Sequence, residues 1–469
     1  MTTRRVLPWI LLVCLGLRVG FFLAVRPWEA TVERELIVQS DAKGYHELAV
    51  TILRHGRFAF DANTPPDALR TPLYPAMIAA VYALVGPAPW VVLLAQAIVD
   101  TVSCGLLSVL VGRVIGRRAG LLAGGFYAIN PILVMYCSTL MSDIPFVFLC
   151  VLSLWFLSAA VAPGRSAAGT RAAALAGLAI GLAALTRPVA AFAPIAAAIA
   201  LLVCCWRRWR TFAVRAVAMV GVFALAVSPW LIRNVVTFGR AGLSTSGPYN
   251  LLVLHVGPME TQRRGQPSET VKASLLAEAQ ARAVARYERS ADQIGPFELA
   301  ASQRDLAIEY ISRSPGRFVR NYAAGIGHML VNLSTRQLAE MLRLPRGREG
   351  FDLKAQSSLT GAGRQWFAVK SGPEIAIGLG VAAYLLVTYL CGLVGLATGL
   401  RAARRLESDE LPAQPSGASA FLWTCLIMAC YFAFVTGTAG LSRFALPAIP
   451  FGLPFVAAGA QRLLPGKPQ

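Results

Sequence analysis

A carboxylate and a cation in one polar stretch are the residues of this chain best suited to chemistry. Ser40-Asp41 supplies the carboxylate, and the segment Arg70-Thr-Pro-Leu-Tyr-Pro75 supplies the cation. A carboxylate can accept a proton from a hydroxyl, and an arginine can hold a phosphate through bidentate hydrogen bonds. Together they could activate a hydroxyl beside a bound phosphate, which is the minimum for group transfer from a lipid phosphate.

Three neighbours of Asp41 could join it. Tyr45 would share its helical face one turn on, and Lys43 and His46 are close in sequence. Each residue also has an ordinary alternative, because polar loops carry lysine and histidine anyway. Asp41 itself could simply cap the helix expected over residues 42–53, since Asp is a favoured N-cap.

The composition indicates a membrane protein. The chain has 469 residues, of which 56% are hydrophobic and 14% charged, and its mean hydropathy is +0.57. A soluble domain carries roughly 25% charged residues. The net charge of +20 comes mostly from arginines in short gaps between apolar runs, a topology signal that argues against nucleic-acid binding. The nine cysteines form no Cys-x-x-Cys motif, so neither a disulfide framework nor a zinc site is predicted.

Ten apolar runs approach the about 20 residues that a membrane span needs. They cover residues 6–25, 89–111, 119–137, 143–162, 172–187, 190–206, 212–231, 374–400, 417–437 and 443–461. The first run is expected to stay as a helix, because no convincing cleavage site follows it. The shorter, proline-bounded run 73–86 predicts a helix at the membrane surface. The predicted fold class is an all-α polytopic membrane protein of about ten spans.

Six groups of basic residues lie in alternate gaps, which places both termini in the cytoplasm. The groups are Arg4-Arg5; Arg113, Arg117 and Arg118; Arg165 and Arg171; Arg207, Arg208 and Arg210; Arg401, Arg404 and Arg405; and Arg462 with Lys467. Loop 26–88 and the large helical segment 232–373 then face outward. The expected organisation is a membrane module 1–231, an outer region 232–373, and a membrane part 374–469 with a cytoplasmic linker 401–418.

Four more charged residues stand at the outer ends of spans, where charge is costly. Asp143 could cap its helix, or it could be a second carboxylate that binds a metal or an acceptor. Arg187, Arg233 and Arg443 oppose the positive-inside bias. They could snorkel to lipid headgroups, or they could form a cationic ring for a phosphate.

The order of the motifs resembles the GT-C superfamily of polytopic glycosyltransferases, especially bacterial relatives of protein O-mannosyltransferases and of the aminoarabinose transferase of lipid A (family 39/83-like). The motifs are Ser40-Asp41-x-x-x-Tyr45, Arg70-Thr-Pro-Leu-Tyr-Pro75, Gln96, Asn130-Pro131, Asp143, Gly181-Leu-Ala-Ala-Leu-Thr-Arg187-Pro188, Ser228-Pro-Trp-Leu-Ile-Arg233-Asn234, Ser246-Gly-Pro-Tyr249-Asn250-Leu251 and Arg443-Phe-x-Leu-Pro447-x-x-Pro450. One departure is Leu69, which precedes Arg70 where related proteins often have an acidic residue.

The resemblance implies transfer of a hexosyl or pentosyl group, with inversion, from a polyprenyl-phosphate carrier to a hydroxyl on the outer face of the cytoplasmic membrane. Asp41 would be the general base. Arg70, helped by Arg187, Arg233 and Arg443, would neutralise the phosphate. Asp143 would orient the acceptor or share a cation.

The remaining expectations concern the groove and the partners. The substrate groove would be lined by Tyr45, Tyr74, Lys43, His46, Tyr249 and Asn250, and the run 73–86 and the helix near Tyr322 would flank the prenyl chain. The expected partners are the lipid-linked sugar, a glycan, lipid or protein acceptor and the bilayer, with no nucleic acid. No cofactor or metal motif is present in the sequence, although Mg²⁺ or Mn²⁺ is compatible with the carboxylates.

Two other classes of protein remain open. A transporter or lipid-linked-sugar flippase would use Asp100, which lies mid-span near Gln96, although a paired structural role for Asp100 is the preferred interpretation. A membrane scaffold would not explain why a carboxylate and several arginines converge outside. Inverted repeats typical of transporters are not evident in the sequence.

Overall fold

A computed structural model describes residues 3–162, 167–348, 359–405, 417–436 and 440–464. Within these ranges the chain is helical, and one isolated β-bridge, between Ala59 and Pro66, is its only extended pairing. Arg165, Lys467 and residues 406–416 of the expected linker lie outside the described residues.

The helices of the described residues are numbered in chain order. They are α1 Thr3–Val25, α2 Ala30–Val32, α3 Asp41–His55, α4 Leu73–Val85, α5 Pro89–Val114, α6 Arg117–Ala128, α7 Pro131–Cys137, α8 Asp143–Ala160, α9 Ala167–Thr186, α10 Ala193–Cys205, α11 Trp209–Phe238, α12 Ser246–Asn250, α13 Gly257–Arg264, α14 Ser268–Tyr287, α15 Pro296–Arg313, α16 Pro315–Val331, α17 Thr335–Met341, α18 Leu359–Val369, α19 Gly372–Arg405, α20 Gly417–Thr436 and α21 Ile449–Leu463. Short π turns occupy Glu33–Ile37 and Leu251–Val256, and 3-10 turns occupy Pro188–Ala190, Ala291–Gln293 and Ser442–Ala448.

The predicted membrane fold is confirmed. Nine helical stretches in the described residues are long and apolar enough to cross a membrane, and α6 with α7 makes a tenth span if this pair, bent by 55°, is one broken span. The surface helix expected over 73–86 is α4, which is too short to span. The expected end of one span at residue 231 was wrong, because α11 continues through Arg233 and Asn234 to Gly239, whose φ of +68° ends the helix.

The break between α6 and α7 explains the mid-membrane charge at Asp100. Pro131 has no N–H to donate, so carbonyls at the end of α6 need other donors. Arg18 donates to the Ala128 carbonyl at 2.8 Å and pairs with Asp100 at 2.6 Å, both side chains being fully buried. The Tyr127 hydroxyl donates to the other Asp100 oxygen at 2.5 Å. The structure therefore pairs Asp100 inside the bundle, as preferred from the sequence.

Small residues allow the spans to pack closely. Gly177 and Gly181 lie one turn apart on α9 and face α11. A Cβ added at Gly177 would lie well inside van der Waals contact with the Met219 carbonyl, and one at Gly181 would lie 2.7 Å from the Ala226 Cβ. Side chains at these two positions would force α9 and α11 apart.

The outer segment between α11 and α19 has a hydrophobic core of its own. Leu252, Val256, Met259, Val271, Leu275, Ala279, Leu306, Ala307 and Tyr310 form it. The helices expected in 261–313 are present as α13 to α15, and α16 starts at Pro315. The loop expected over 344–364 was partly wrong, because α18 begins at Leu359.

Candidate active site

Asp41 lies at the first residue of α3 and points to two arginines. Its carboxylate is 3.6 Å from Arg70 Nη2 and 3.5 Å from Arg443 Nη1, and the side chain is 57% exposed. Ser40, the residue before it, has a φ of +51°, so the chain turns sharply as it enters the helix. The carboxylate accepts no backbone hydrogen bond from the described residues, so helix capping is not its observed role.

Arg70 is held between two aromatic rings. Its guanidinium carbon lies 5.1 Å from the Tyr45 ring centroid and 5.4 Å from that of Phe60, distances at which cation–π attraction is significant. Nη2 also donates to the Asp41 carbonyl at 3.3 Å. Gly44 makes this position possible, because a Cβ there would lie 2.7 Å from the guanidinium.

Arg443 joins Asp41 to a second, buried carboxylate. Its Nη2 lies 3.5 Å from Asp143 Oδ2, and the Asp143 side chain is 0% exposed. Asp143 Oδ1 accepts a hydrogen bond from Arg187 Nη1, and the Arg187 side chain is only 10% exposed. Asp143 starts α8, whose N-cap side chain makes no capping bond.

These contacts form one alternating series, Arg70–Asp41–Arg443–Asp143–Arg187, which we call the charge relay. With all five groups ionised, three cations and two anions leave an excess of one positive charge. Most of the charge is thus neutralised within the series, and the remaining positive charge favours an anion. The exposed Asp41 lies at its open side, whereas Asp143 lies at its closed side.

Three hydrogen bonds join the elements that carry this series. The Tyr45 hydroxyl lies 3.3 Å from Ser142 Oγ, directly before Asp143. The Tyr74 hydroxyl donates to Gln96 Oε1 at 2.8 Å, and Gln96 Nε2 donates to the Thr139 carbonyl at 2.9 Å. The first outer loop is thereby fixed to the bend that precedes Asp143.

Lys43 and His46 are placed differently. Lys43 is largely exposed and lies 3.8 Å from Glu47. His46 Nδ1 is 2.8 Å from the Tyr82 hydroxyl, and burial lowers the pKa of His46. Among the described contacts, neither residue forms an ion pair or hydrogen bond with the charge relay.

Arg233 also lies apart from the charge relay. It donates to the Asp67 carbonyl at 3.0 Å, and the rings of Phe58, Trp230 and Phe238 surround its guanidinium at 4.6 to 5.5 Å. Sequence reasoning gave it the same role as Arg443, since both oppose the positive-inside bias at one end of a predicted span. The aromatic residues at positions 230 and 238 were a signal of a different environment.

Tyr249 and Asn250 lie on α12 and are partly buried. This short helix packs on the 3-10 turn Pro188–Ala190, next to Arg187.

Sequence reasoning missed Asp67 and Gly44, which shape the surroundings of Arg70. The glycine inside a polar helix, so close to Asp41, was the available signal.

Within the described residues, no group of three or more His, Cys, Asp or Glu side chains is arranged to hold a metal ion. Both carboxylates of the charge relay face arginines instead.

An apolar cavity of about 570 Å³ lies beside the charge relay. Helices α16, α19, α20 and α21 contribute most of its lining, with Met329, Leu393, Leu426 and Leu453 as examples. Ser442 also lines it, and is the neighbour of Arg443 in the chain. The 3-10 turn Ser442–Ala448 therefore connects the cavity lining to Arg443, although none of the five charge-relay residues lines the cavity.

A family model described as dolichyl-phosphate-mannose-protein mannosyltransferase matches residues 69–232. This match covers about a third of the chain and includes Arg70, Asp143 and Arg187. No curated protein sequence matches the chain.

The fold is similar to that of solved membrane transferases. The oligosaccharyltransferase AglB from Archaeoglobus fulgidus, solved with an inhibitory peptide and a dolichol-phosphate, has a TM-score of 0.54 at 16% identity over 98% of this chain and 50% of that chain. This chain thus spans half the length of that protein. ArnT from Cupriavidus metallidurans, bound to undecaprenyl phosphate, gives a TM-score of 0.43 at 17% identity over 95% of this chain and 77% of that chain. The predicted resemblance holds at the level of the fold: the chain has a polytopic helical membrane fold similar to that of the oligosaccharyltransferase AglB.

Proposed function

We propose that this protein is an inverting glycosyltransferase that moves a sugar from a polyprenyl-phosphate donor to an acceptor hydroxyl on the outer face of the cytoplasmic membrane. The observation that carries the proposal is the charge relay, in which an exposed carboxylate and three arginines converge beside an apolar cavity. A lipid phosphate needs both features, one for its anion and one for its chain.

The charge of the site fits a donor phosphodiester. Such a donor carries one negative charge, and the charge relay has one positive charge in excess. Arg70 and Arg443 would bind the phosphate first, because their present partner Asp41 is exposed and held at 3.5 to 3.6 Å, too long for direct hydrogen bonds. The phosphate would displace Asp41 from them and leave its carboxylate free to accept a proton.

The prenyl chain would lie in the apolar cavity. The cavity contacts α16, the helix of Tyr322, as expected from the sequence, but its other walls are α19, α20 and α21 and not α4. The alkyl chain is already out of water in the bilayer, so the cavity would position the donor and add little hydrophobic free energy. The family description and the oligosaccharyltransferase neighbour both name dolichyl phosphates, which supports this class of donor.

The reaction would begin with the acceptor hydroxyl beside Asp41. Asp41 accepts its proton as the oxygen attacks the anomeric carbon from the face opposite the phosphate. The bond between that carbon and the phosphate oxygen breaks, and its electron pair stays with the prenyl phosphate. Arg70, Arg443 and Arg187 stabilise the charge that develops there. Attack from the opposite face inverts the anomeric configuration.

The other predicted residues take supporting roles in this proposal. Asp143 is fully buried between Arg187 and Arg443. In this conformation it would hold these two arginines in place, and it would contact neither the acceptor nor a metal ion. Tyr45 and Tyr74 would form the wall between the loop and the bend at Ser142. Exposed Lys43 and partly buried Tyr249 would lie further out, toward the acceptor.

The test is Asp41→Asn against a matched control, Glu47→Gln, an exposed carboxylate on the same helix. Lipid-linked sugars and envelope glycans are compared between cells that express each variant. With Asp41→Asn, the donor should accumulate and one glycan should lose a residue, while Glu47→Gln should match the wild type. Normal glycans with Asp41→Asn would remove the base assignment.

The phosphate ligands are tested by Arg70→Ala, with Arg54→Ala in the same outer loop as control. The donor is the lipid extract of the Asp41→Asn cells, in which it accumulates. Arg70→Ala should raise the donor KM more than the acceptor KM. A donor KM equal to that of Arg54→Ala would contradict the phosphate role.

The transporter or flippase alternative gains no specific observation. Asp100, its main candidate, is fully buried and is paired with Arg18 and Tyr127.

A further inference from the structure

We propose that Asp67 and the segment 233–245 form a clamp on residues 67–70, and that this clamp sets donor affinity by positioning Arg70. The inference rests on the proposed function, because it gives Arg70 a donor phosphate to bind. It also assigns Arg233 to the clamp, as a positioning residue and not a phosphate ligand.

Three consecutive carbonyls before Arg70 accept hydrogen bonds from the next outer segment. Arg233 Nη1 donates to the Asp67 carbonyl at 3.0 Å. The Thr245 N–H donates to the Ala68 carbonyl at 2.9 Å. Ser244 Oγ donates to the Leu69 carbonyl. Each carbonyl of residues 67–69 thus accepts a hydrogen bond from the protein. This backbone is fixed by residues that follow it by more than 160 positions.

The N–H groups of the same residues are held from inside the loop. Asp67, whose residue surface is 7% exposed, accepts from the Leu69 N–H at 3.2 Å through Oδ1 and from the Arg70 N–H at 2.9 Å through Oδ2. The carboxylate thus closes a turn that points the Arg70 side chain toward Asp41. Hydrogen bonds to an ionised acceptor are stronger than neutral ones.

Arg233 has few donors left for a ligand. Its Nη1 also donates to Asn234 Oδ1 at 2.7 Å, and its Nη2 lies 3.5 Å from the Phe58 carbonyl. Three aromatic rings cover the guanidinium, with centroids at 4.6 to 5.5 Å. A phosphate at Arg233 would have to displace two backbone carbonyls and the Asn234 amide oxygen, whereas at Arg70 it would displace the exposed Asp41 carboxylate at 3.6 Å and one carbonyl at 3.3 Å.

Arg70 needs such a fixed backbone because its guanidinium occupies a narrow place. It lies over Gly44 and between the rings of Tyr45 and Phe60. A backbone shift of about 1 Å in the loop is enough to lose a positioned interaction of this kind. The clamp therefore acts on substrate binding only through Arg70.

The experiment is a double-mutant cycle with Asp67→Ala and Arg70→Ala in the full-length protein, using the lipid extract of Asp41→Asn cells as donor. Asp67→Ala should raise the donor KM about tenfold, as expected when one charge-assisted contact is lost, and leave the acceptor KM unchanged. With Asp67→Asn, which keeps one acceptor oxygen, the donor KM should rise less. In the Arg70→Ala background, Asp67→Ala should add nothing. Asp61→Ala, in the same loop and with local contacts only, is the matched control.

Hydrogen exchange of residues 67–71 provides a readout that does not depend on activity. Asp67→Ala and Arg233→Ala should both speed exchange of these amides, while α3 stays protected. If Arg70→Ala raises the donor KM but Asp67→Ala adds to it in full, the clamp is wrong and the proposed function survives. If Arg70→Ala leaves the donor KM unchanged, the phosphate role fails and the clamp's effect on affinity fails with it. Unchanged exchange in both variants overturns the clamp whatever the kinetics show.

Discussion

A single methyl group at position 44 should weaken donor binding and have only a small effect on the stability of the fold. In Gly44→Ala, the new Cβ would lie 2.7 Å from Arg70 Cζ and Nη2. Carbon contacts need about 3.5 to 4.0 Å, so the guanidinium must move by about 1 Å. It is the far end of a flexible side chain, and no charged group is removed. The substitution therefore tests where Arg70 lies, independently of its charge.

The two effects of this substitution have opposite signs. Alanine in place of glycine inside a helix stabilises by roughly 0.5 to 1 kcal/mol. Against that, Arg70 loses its optimum over Tyr45 and Phe60, where each cation–π contact contributes roughly 0.5 to 1 kcal/mol. A displaced guanidinium also loses a charge-assisted bond to phosphate of roughly 1.5 to 3 kcal/mol. The donor KM should rise about 10- to 100-fold, while the net loss of thermal stability stays below about 1.5 kcal/mol.

The assay measures product formation against donor concentration in a purified, detergent-solubilised protein, together with thermal unfolding. Gly221→Ala on α11 is the control, because a Cβ there meets no atom within 4 Å. It should leave the donor KM unchanged and stabilise by the roughly 0.5 to 1 kcal/mol that alanine contributes in a helix. A donor KM in Gly44→Ala equal to that of Gly221→Ala would show that Arg70 does not bind the donor in the position seen here. A large loss of stability would instead mean that position 44 serves packing.

Three further outcomes follow from the structure. Asp143→Asn should lose roughly 3 kcal/mol of stability, because two mostly buried arginines lose their anion, while Asp41→Asn should lose little; equal melting temperatures would contradict the buried pairing. Gly177→Ala should lower the melting temperature, since separating packed helices costs roughly 1 to 3 kcal/mol, whereas Gly221→Ala should not. Burial lowers the pKa of His255 to about 4. The helical region 232–373 should therefore keep its full stability above pH ~6.5. Below that pH it should lose up to about 1.4 kcal/mol per pH unit, because the unfolded state binds the proton first. His255→Phe should flatten that slope in a pH series of limited proteolysis, and an unchanged slope would exclude His255 as the cause.

The sequence was sufficient for the membrane architecture because a span is a local property. Length, hydropathy and flanking arginines identify each run without knowledge of its neighbours. The errors in predicted helix ends came where apolar residues alternate with polar residues or glycines. Helix α11 passes through the polar pair Arg233-Asn234 because apolar residues resume at Val235, and α18 begins within a stretch rich in glycine and arginine. Helix ends depend on capping geometry, which composition does not reveal.

The candidate site was predictable as a set of residues but not as a set of partners. Arg233 and Arg443 look alike in sequence, since both are arginines at the boundary of an apolar run. Only the folded chain shows that Arg443 bridges Asp41 and Asp143, while Arg233 is enclosed by aromatic rings. The bridge joins positions about 300 to 400 residues apart, and no local pattern encodes which distant carboxylate an arginine meets.

One regularity connects the chemistry to the backbone. Asp41 and Asp143 are the first residues of their helices, Arg187 lies between α9 and a 3-10 turn, and Arg443 is the second residue of another such turn. A helix end is where backbone direction changes and where a side chain can leave an apolar bundle for its boundary. Charges in mid-span must instead be neutralised internally, as Arg18 does for Asp100. Position relative to helix ends therefore separates the residues proposed for chemistry from those that hold the bundle, before any pairing is known.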